Sequence, residues 1–259
     1  MSDTSDSASH GPASTVLPKA LQRAMALLAQ PPGEPDAENG YLNLLGPEQP
    51  AQARNDGPVQ QLWASDLGSQ LYDIAQSIGR RLLAAWQLDP DWLHLPGDGV
   101  ALDIGSGPGN VTSALARAAG PDGLALGVDI SPAMLARAVA AEASANVGFL
   151  RADAQHLPFR AEIADAVVSM AALQLIPDTT AALTEMVRVL KPAGRLAIMV
   201  PTSSVGPLTK LADLVPAAAG LHFFDGDEIA DTLLDAGLSK VKVNQRGLIQ
   251  WVRAAKPEN

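Results

Sequence analysis

From about residue 99 the chain alternates short apolar runs with amphipathic stretches. The runs 99–104, 124–129 (Leu124-Ala125-Leu126-Gly127-Val128-Asp129), 147–151, 164–170 and 195–200 read as buried strands. Each is a brief aliphatic block closed by turn-forming residues. Between them, 109–119, 132–143 and 180–190 read as helices. In the last, Leu183, Met186, Val187 and Leu190 fall at i, i+3, i+4 and i+7, which is one face of a helix. Ser131 is a good N-cap, and Pro132 sits where its missing N–H costs nothing. Lys191-Pro192-Ala193-Gly194 marks a helix end. This alternation predicts parallel strands, right-handed crossovers and helices on both faces. An Ala-rich excursion over 201–223 breaks the rhythm. A helix over 225–236 follows, opened by Asp225, Asp227 and Glu228 and stopped by Gly237. Val241-Lys242-Val243-Asn244 and Leu248-Ile249-Gln250-Trp251-Val252 read as a closing hairpin.

Upstream the pattern is looser. Residues 1–16 carry almost no large apolar group and read as a disordered tail. A short helix is expected over 17–30, and 31–59 is rich in Pro, Gly, Asn and Asp and reads as a connector. Within it, Tyr41-Leu42-Asn43-Leu44-Leu45 is an apolar island that must bury against something. A long helix is expected over 60–87. There Leu67, Leu71, Ile74, Ile78 and Leu82 draw one stripe, flanked by Trp63, Tyr72 and Trp86. The division is then a tail (1–16), an N-terminal helical cap or lid (17–95) and a ligand-binding domain (96–259) with a substrate-side insertion at 201–224.

The length of 259 residues suits one large α/β domain with chain left over. With 47 % apolar but only 4 % aromatic residues, the core must be built from Ala, Leu, Val and Ile. A net charge of −10 argues against binding a phosphate backbone, although it leaves room for a local basic patch. There is no cysteine, hence no disulfide, no thiolate catalyst and no cysteine-held metal. His10, His94, His156 and His222 lack ligand spacing, so no metal site is read. No apolar run is long enough to span a membrane, and the acidic, Ser-rich N-terminus is unlike a secretory signal, so a cytoplasmic location is expected.

The chemistry concentrates where Val100-Ala101-Leu102-Asp103-Ile104 runs into Gly105-Ser106-Gly107-Pro108-Gly109-Asn110. A buried strand turns there into a helix whose first amides, from Gly107 to Asn110 apart from Pro108, offer donors and a partial positive charge. The spacing is not that of a dinucleotide fingerprint: Asn110 takes the place of the third glycine, which comes one residue early. In an open α/β sheet the ligand lies beyond the carboxyl ends of the strands. Each strand delivers a polar group there. The second ends in Asp129, suited to a ribose diol. The third is followed by Asp153, which could accept from an adenine amino group. The fourth runs out through Ser169-Met170-Ala171-Ala172-Leu173-Gln174. Plainer roles stay open. The glycines could serve tight packing, Asp129 could cap the next helix, Asp153 could be a turn residue, and His156 reads better as a loop histidine than as a catalyst.

Taken together, the glycine turn, Gly127-Val128-Asp129-Ile130-Ser131-Pro132 with Met134-Leu135, Asp153-Ala154 with Leu157-Pro158-Phe159, and Leu190-Lys191-Pro192-Ala193-Gly194-Arg195 resemble the motif series of class I S-adenosylmethionine-dependent methyltransferases. The likeness is to the broad type 11 small-molecule kind that includes quinone C-methyltransferases. It covers about 97–200 in detail. It implies a Rossmann-like, doubly wound, mostly parallel seven-stranded sheet with the last strand antiparallel, plus the N-terminal helical cap. It implies S-adenosyl-L-methionine as cofactor, with S-adenosyl-L-homocysteine as product. Its implied contacts are Asp103, Gly105 and Gly107 on the methionine portion and Asp129 on the ribose, with Ile130 and Met134 against the adenine. Asp153 and Ala154 would meet the adenine edge, Met170 and Ala171 would lie near the methyl, and Ser106, Gly109, Asn110 and Gln155 complete the implied cofactor-binding set. Many relatives carry histidine where this chain has Gln174, which can hydrogen-bond but not act as a base.

Methyl transfer needs alignment more than acid–base groups, so no catalytic residue is legible; Trp63, Tyr72, Gln174 and His222 are the candidates. Leu42, Leu44, Leu45, Leu208, Leu211, Leu214, Val215 and Leu221 suggest a small lipophilic acceptor rather than nucleic acid. The N-terminal arm offers a homodimer interface. The alternatives are a protein that binds the cofactor without turnover and a nicotinamide-dependent oxidoreductase.

Overall fold

In a computed structural model, the residues described are 17–46, 90–202, 222, 224–247 and 249–258. The N-terminal tail, the helix expected over 60–87 with Trp63 and Tyr72, and most of the 201–224 excursion lie outside them.

The elements, in chain order, are α1 (Lys19–Met25), β1 (Leu42–Asn43), α2 (Pro90–Leu93), β2 (Val100–Ile104), α3 (Asn110–Ala119), β3 (Leu124–Asp129), α4 (Pro132–Glu142), β4 (Val147–Arg151), β5 (Ala164–Met170), a 3-10 turn (Leu173–Leu175), α5 (Thr179–Val189), β6 (Leu190–Pro201), α6 (Glu228–Asp235), β7 (Ser239–Arg246) and β8 (Ile249–Ala255). They build one sheet in the order β1-β4-β3-β2-β5-β6-β8-β7. β1 to β6 pair in parallel, whereas β8 runs antiparallel between β6 and β7. The chain leaves β2 toward β3 and β4 on one side, then returns to β5 on the other. The change of direction opens a crevice beyond the carboxyl ends of β2 and β5.

Among the described residues the sheet has eight strands rather than seven. The extra one is the apolar island: Leu42 and Asn43 pair with Leu150 and Arg151. Leu42 is fully buried there, so it does not line an acceptor site as expected from sequence, and Leu44 packs against the core. The N-terminal segment is anchored at several points. Arg23 donates to the carbonyls of Asp122 and Gly123. Leu28 bridges to Phe159, and Arg160 donates through its backbone to Leu27 and through its side chain to Ala26. Described residues 17–46 therefore buttress the far edge of the sheet.

A second departure lies at the end of α5. Leu190 turns directly into extended backbone and pairs with Ala164, while the next register pair is Ala166 with Arg195. Lys191 to Gly194 is thus a bulge inside β6 rather than a loop before it. Left-handed Ala193 (φ 63°) makes the bend, and backbone bonds from Ala193 to Pro257 and from Lys256 to Gly194 hold it. α6 ends in the expected way: Gly237 (φ 90°) donates to Leu234 and Leu238 donates to Leu233.

Two apolar layers sandwich the sheet. One joins α1, α5 and α6 through Leu21, Leu126, Phe159, Met186, Ile198 and Leu233. The other joins α2, α3 and α4 through Leu93, Leu115, Leu135 and Phe149. Among the described residues no helix is long and apolar enough to cross a membrane.

Candidate functional site

The crevice between β2 and β5 is shaped by the glycine turn. Gly105, Gly107 and Gly109 all take positive φ (73°, 49° and 85°), where a side chain is strained. Their surroundings differ. A Cβ on Gly105 would come within 2.2 Å of the Ala172 Cβ, and one on Gly109 would meet the Phe149 ring at 2.7 Å. Both glycines therefore serve packing as well as conformation. At Gly107 a Cβ would meet nothing within 4 Å among the described residues. Of the three glycines, this is the one with open space on its Cβ side. The Ser106 hydroxyl lies beneath the turn, where a Cβ on Gly127 would approach it to 2.8 Å; it is buried without a partner among the described residues.

The two carboxylates divide the work of holding this turn. Asp103 is 1 % exposed and accepts from the Thr112 hydroxyl at 2.7 Å and from the Thr112 amide. Thr112 is the third residue of α3, so Asp103 satisfies first-turn donors that Gly109, lacking a side chain, cannot. Desolvation pushes the Asp103 carboxyl up to about 7; the Thr112 bonds oppose this and the nearby Asp129 charge adds to it. Asp129 accepts from the Gly107 amide at 2.8 Å and from the Ser131 amide at 2.8 Å. Burial raises its pKa too, against the pull of these backbone donors. The Ser131 bond makes the plainer capping reading part of the structure, yet Asp129 also reaches across to the glycine turn.

Beside Asp129, Ile130 is 36 % exposed and Met134 is half-buried. The Met134 amide donates to the Ser131 hydroxyl, closing the expected N-cap. Asn110 is exposed at the start of α3. Asp153 forms a turn of its own, accepting from the Gln155 amide at 2.9 Å and from the Gln155 side chain at 3.0 Å. Gln155 in turn accepts from the Asp178 amide, and Ala154 packs against the core. The rest of that motif is structural. Leu157 and Phe159 are buried, and Arg188, whose charge Glu185 reinforces, donates to both of their carbonyls.

On the opposite lip, Met170 is half-buried and Ala171 is exposed in left-handed backbone (φ 56°), its amide bonded to the Met199 carbonyl. The Gln174 side chain donates to the Ala171 carbonyl at 2.6 Å, while its own Oε1 is buried without a partner among the described residues. The His222 amide donates to the Gln174 carbonyl, so two candidates named from the sequence stand side by side. His222 Nε2 lies 2.9 Å from Glu228, and its ring meets Phe224 edge-on. No sequence signal pointed to Glu228 as the partner of His222. His156 is exposed in a loop.

This sheet order, with a glycine turn between an acid near the end of β2 and an acid closing β3, is the class I methyltransferase fold. Residues 102–198 match the family model Methyltransf_11, described as Methyltransferase domain. The arsenite methyltransferase of Halobacterium salinarum is 39 % identical over 106 residues, covering 40 % of this chain and 27 % of that protein. The 2-phytyl-1,4-naphtoquinone methyltransferase of Thermosynechococcus vestitus is 36 % identical over 134 residues, covering 50 % of this chain and 59 % of that protein. Among solved structures, Haemonchus contortus phosphoethanolamine N-methyltransferase 2, in complex with phosphomonomethylethanolamine and S-adenosylhomocysteine, superposes with a TM-score of 0.54. That alignment has 21 % identity and covers 62 % of this chain and 49 % of that one, a likeness of fold. The chain thus spans between 27 % and 59 % of the length of the two curated relatives.

Proposed function

We propose that this protein transfers a methyl group from S-adenosyl-L-methionine to a small lipophilic acceptor and leaves S-adenosyl-L-homocysteine. The observation that carries the reading is the junction of Gly107 and Asp129 at the switch in strand order. A left-handed glycine with open space on its Cβ side is tied there to a carboxylate at 2.8 Å. When bound, the cofactor supplies a methyl group on a sulfonium, already activated for in-line displacement.

The residues fit such a ligand. The turn from Gly105 to Asn110 lets a methionine portion approach the main chain without side-chain interference. Asp129 accepts from the Gly107, Ser131 and Ile130 amides, and a carboxylate with about four acceptor sites keeps capacity for a ribose diol. Ile130 and Met134 offer apolar surface beside it for a base. Asp153 and Ala154 form the adenine edge of the same reading, with Gln155 beside them, and Met170 and Ala171 the wall next to the methyl. The protein's contribution is then alignment of nucleophile and methyl and exclusion of water.

Lipophilic acceptors of quinol type suit this chain better than arsenite. It has no cysteine, hence no soft thiolate to hold trivalent arsenic. A cytoplasmic location, a homodimer through the N-terminal arm and the absence of a nucleic-acid substrate belong to the same reading. Incubation with methyl-labelled cofactor and a panel of reduced naphthoquinones, phenols and arsenite tests it. Label should appear in an organic-extractable quinol or phenol product. Cofactor binding with no transfer to any acceptor would instead support the binding-only alternative.

A further inference from the structure

We propose that the β6–β8 end of the sheet is a docking face for an anionic lipid surface. Residues 239–257 hold five cations (Lys240, Lys242, Arg246, Arg253 and Lys256) and no acid, in a chain whose net charge is −10. Cross-strand register sorts these charges by face. Lys242 pairs with Arg253, which pairs with Ala197, two residues after Arg195. Arg246 pairs with Ile249, which pairs with Pro201. Side chains alternate along a strand, so Arg195, Arg253, Lys242 and Arg246 share one face. The next register pair, Val243 with Val252, points the other way, toward the layer that holds Ile229 and Leu233 of α6. The acids of α6, among them Asp231 and Asp235, therefore ride on the opposite face.

None of these four cations lies within ion-pair distance of a carboxylate among the described residues. Arg195 and Arg253 stack instead on the Trp92 ring, their guanidinium carbons 5.4 Å and 5.0 Å from its centre. Lys242 and Arg246 are exposed. Lysine on an edge strand discourages edge-to-edge pairing, which accounts for β7 but not for Arg195 and Arg253 on inner strands. From Arg195 to the level of Arg246 the strip runs six residue rises along β6, about 20 Å at the rise of a strand. A strip of that length matches a surface carrying many anionic groups better than a single phosphate. β7 is parallel to β2 and β5, so Arg246 ends at the same sheet edge as the glycine turn. Docking through that end brings the crevice toward the bilayer, where a lipophilic molecule would be found. Basic clusters of this kind bind anionic leaflets through the summed attraction of their charges.

The test uses the full chain and vesicle sedimentation, which reads binding without turnover and so stands or falls apart from the methyl-transfer reading. Vesicles of phosphatidylcholine with 30 % phosphatidylglycerol should sediment the protein at 50 mM salt, and pure phosphatidylcholine should not. Raising salt to 300 mM should weaken binding at least tenfold. The double variant Lys242→Glu/Arg246→Glu should lose it, whereas Lys19→Glu/Arg117→Glu, with the same charge change on other elements, should keep it. The proposal is overturned by no binding to the anionic vesicles, by equal binding to neutral ones, or by equal loss in both double variants. Thermal melts of the variants establish that they are folded, and the salt dependence of the unsubstituted protein tests the proposal without any variant.

Discussion

The Asp129 carboxylate accepts a 2.8 Å hydrogen bond from the amide of Gly107, twenty-two residues earlier in the chain. The end of β3 is thereby fastened to the middle of the turn that follows β2. One side chain fixes the shape of the crevice and also offers its remaining acceptor capacity to whatever enters it. Asp129→Ala should therefore act twice. It should weaken S-adenosylhomocysteine binding about 30-fold or more, in line with about 2 kcal/mol for a charge-assisted bond. It should also loosen the glycine turn in the free protein, read as faster amide exchange at Gly107. Isothermal calorimetry and exchange measured by NMR check the two effects.

Stability should fall as pH rises from about 4 to about 7. The Asp103 carboxyl is held at about 7 in the folded protein against 3.8 as its ordinary value. Over that window the folded state keeps a proton that the unfolded state has released, so raising the pH favours unfolding. Each unit of displacement is worth about 1.4 kcal/mol, which makes the drop on the order of 3–4 kcal/mol at most. Asp129 is shifted in the same direction and adds to the slope. Asp103→Asn should flatten the curve in part without abolishing it. Urea unfolding at pH 4.5, 6 and 7.5 reads this directly.

Gly107 and Gly109 should separate by substitution. Gly107→Ala meets only the strain of left-handed backbone, about 1–2 kcal/mol, yet puts a methyl group into the open side of the turn. It should melt a few degrees lower and lose most of its cofactor affinity. Gly109→Ala adds a collision with the Phe149 ring at 2.7 Å and should cost more stability, about 2–5 kcal/mol with overpacking included. Thermal melts and calorimetry on both variants make the comparison.

Phe159→Ala should destabilise by about 3–5 kcal/mol. Phe159 is fully buried and bridges to Leu28. Its loss should also release the N-terminal segment, seen as early proteolytic cleavage between α1 and β1 while the rest of the sheet still resists.

The central strands and helices were legible because each buried run is bounded by its own turn chemistry: Ser131-Pro132 opens α4, and Gly237 closes α6. Lys191-Pro192-Ala193-Gly194 does follow the end of α5 at Val189, but no local signal shows that Leu190 is already paired with Ala164 or that this turn is a bulge inside β6, stabilised by Pro257 and Lys256 more than sixty residues away. β1 was legible only as apolar residues in need of a partner, because two residues carry no period. At the site, the glycine turn and Asp129 could be located from spacing, since the strand ends converge by topology. The partner of each side chain could not. Asp103 faces Thr112, Asp153 faces Gln155, and Glu228 faces His222, contacts set by local packing rather than by any repeat in the sequence.

The measurement that bears most directly on the account is calorimetric titration of the full chain with S-adenosylhomocysteine at pH 7.5, with reduced nicotinamide dinucleotide as the comparison. One-to-one binding in the micromolar range, with no heat from the dinucleotide, is the expected result. No binding of S-adenosylhomocysteine up to millimolar concentration, or saturable binding of the dinucleotide in its place, would contradict it.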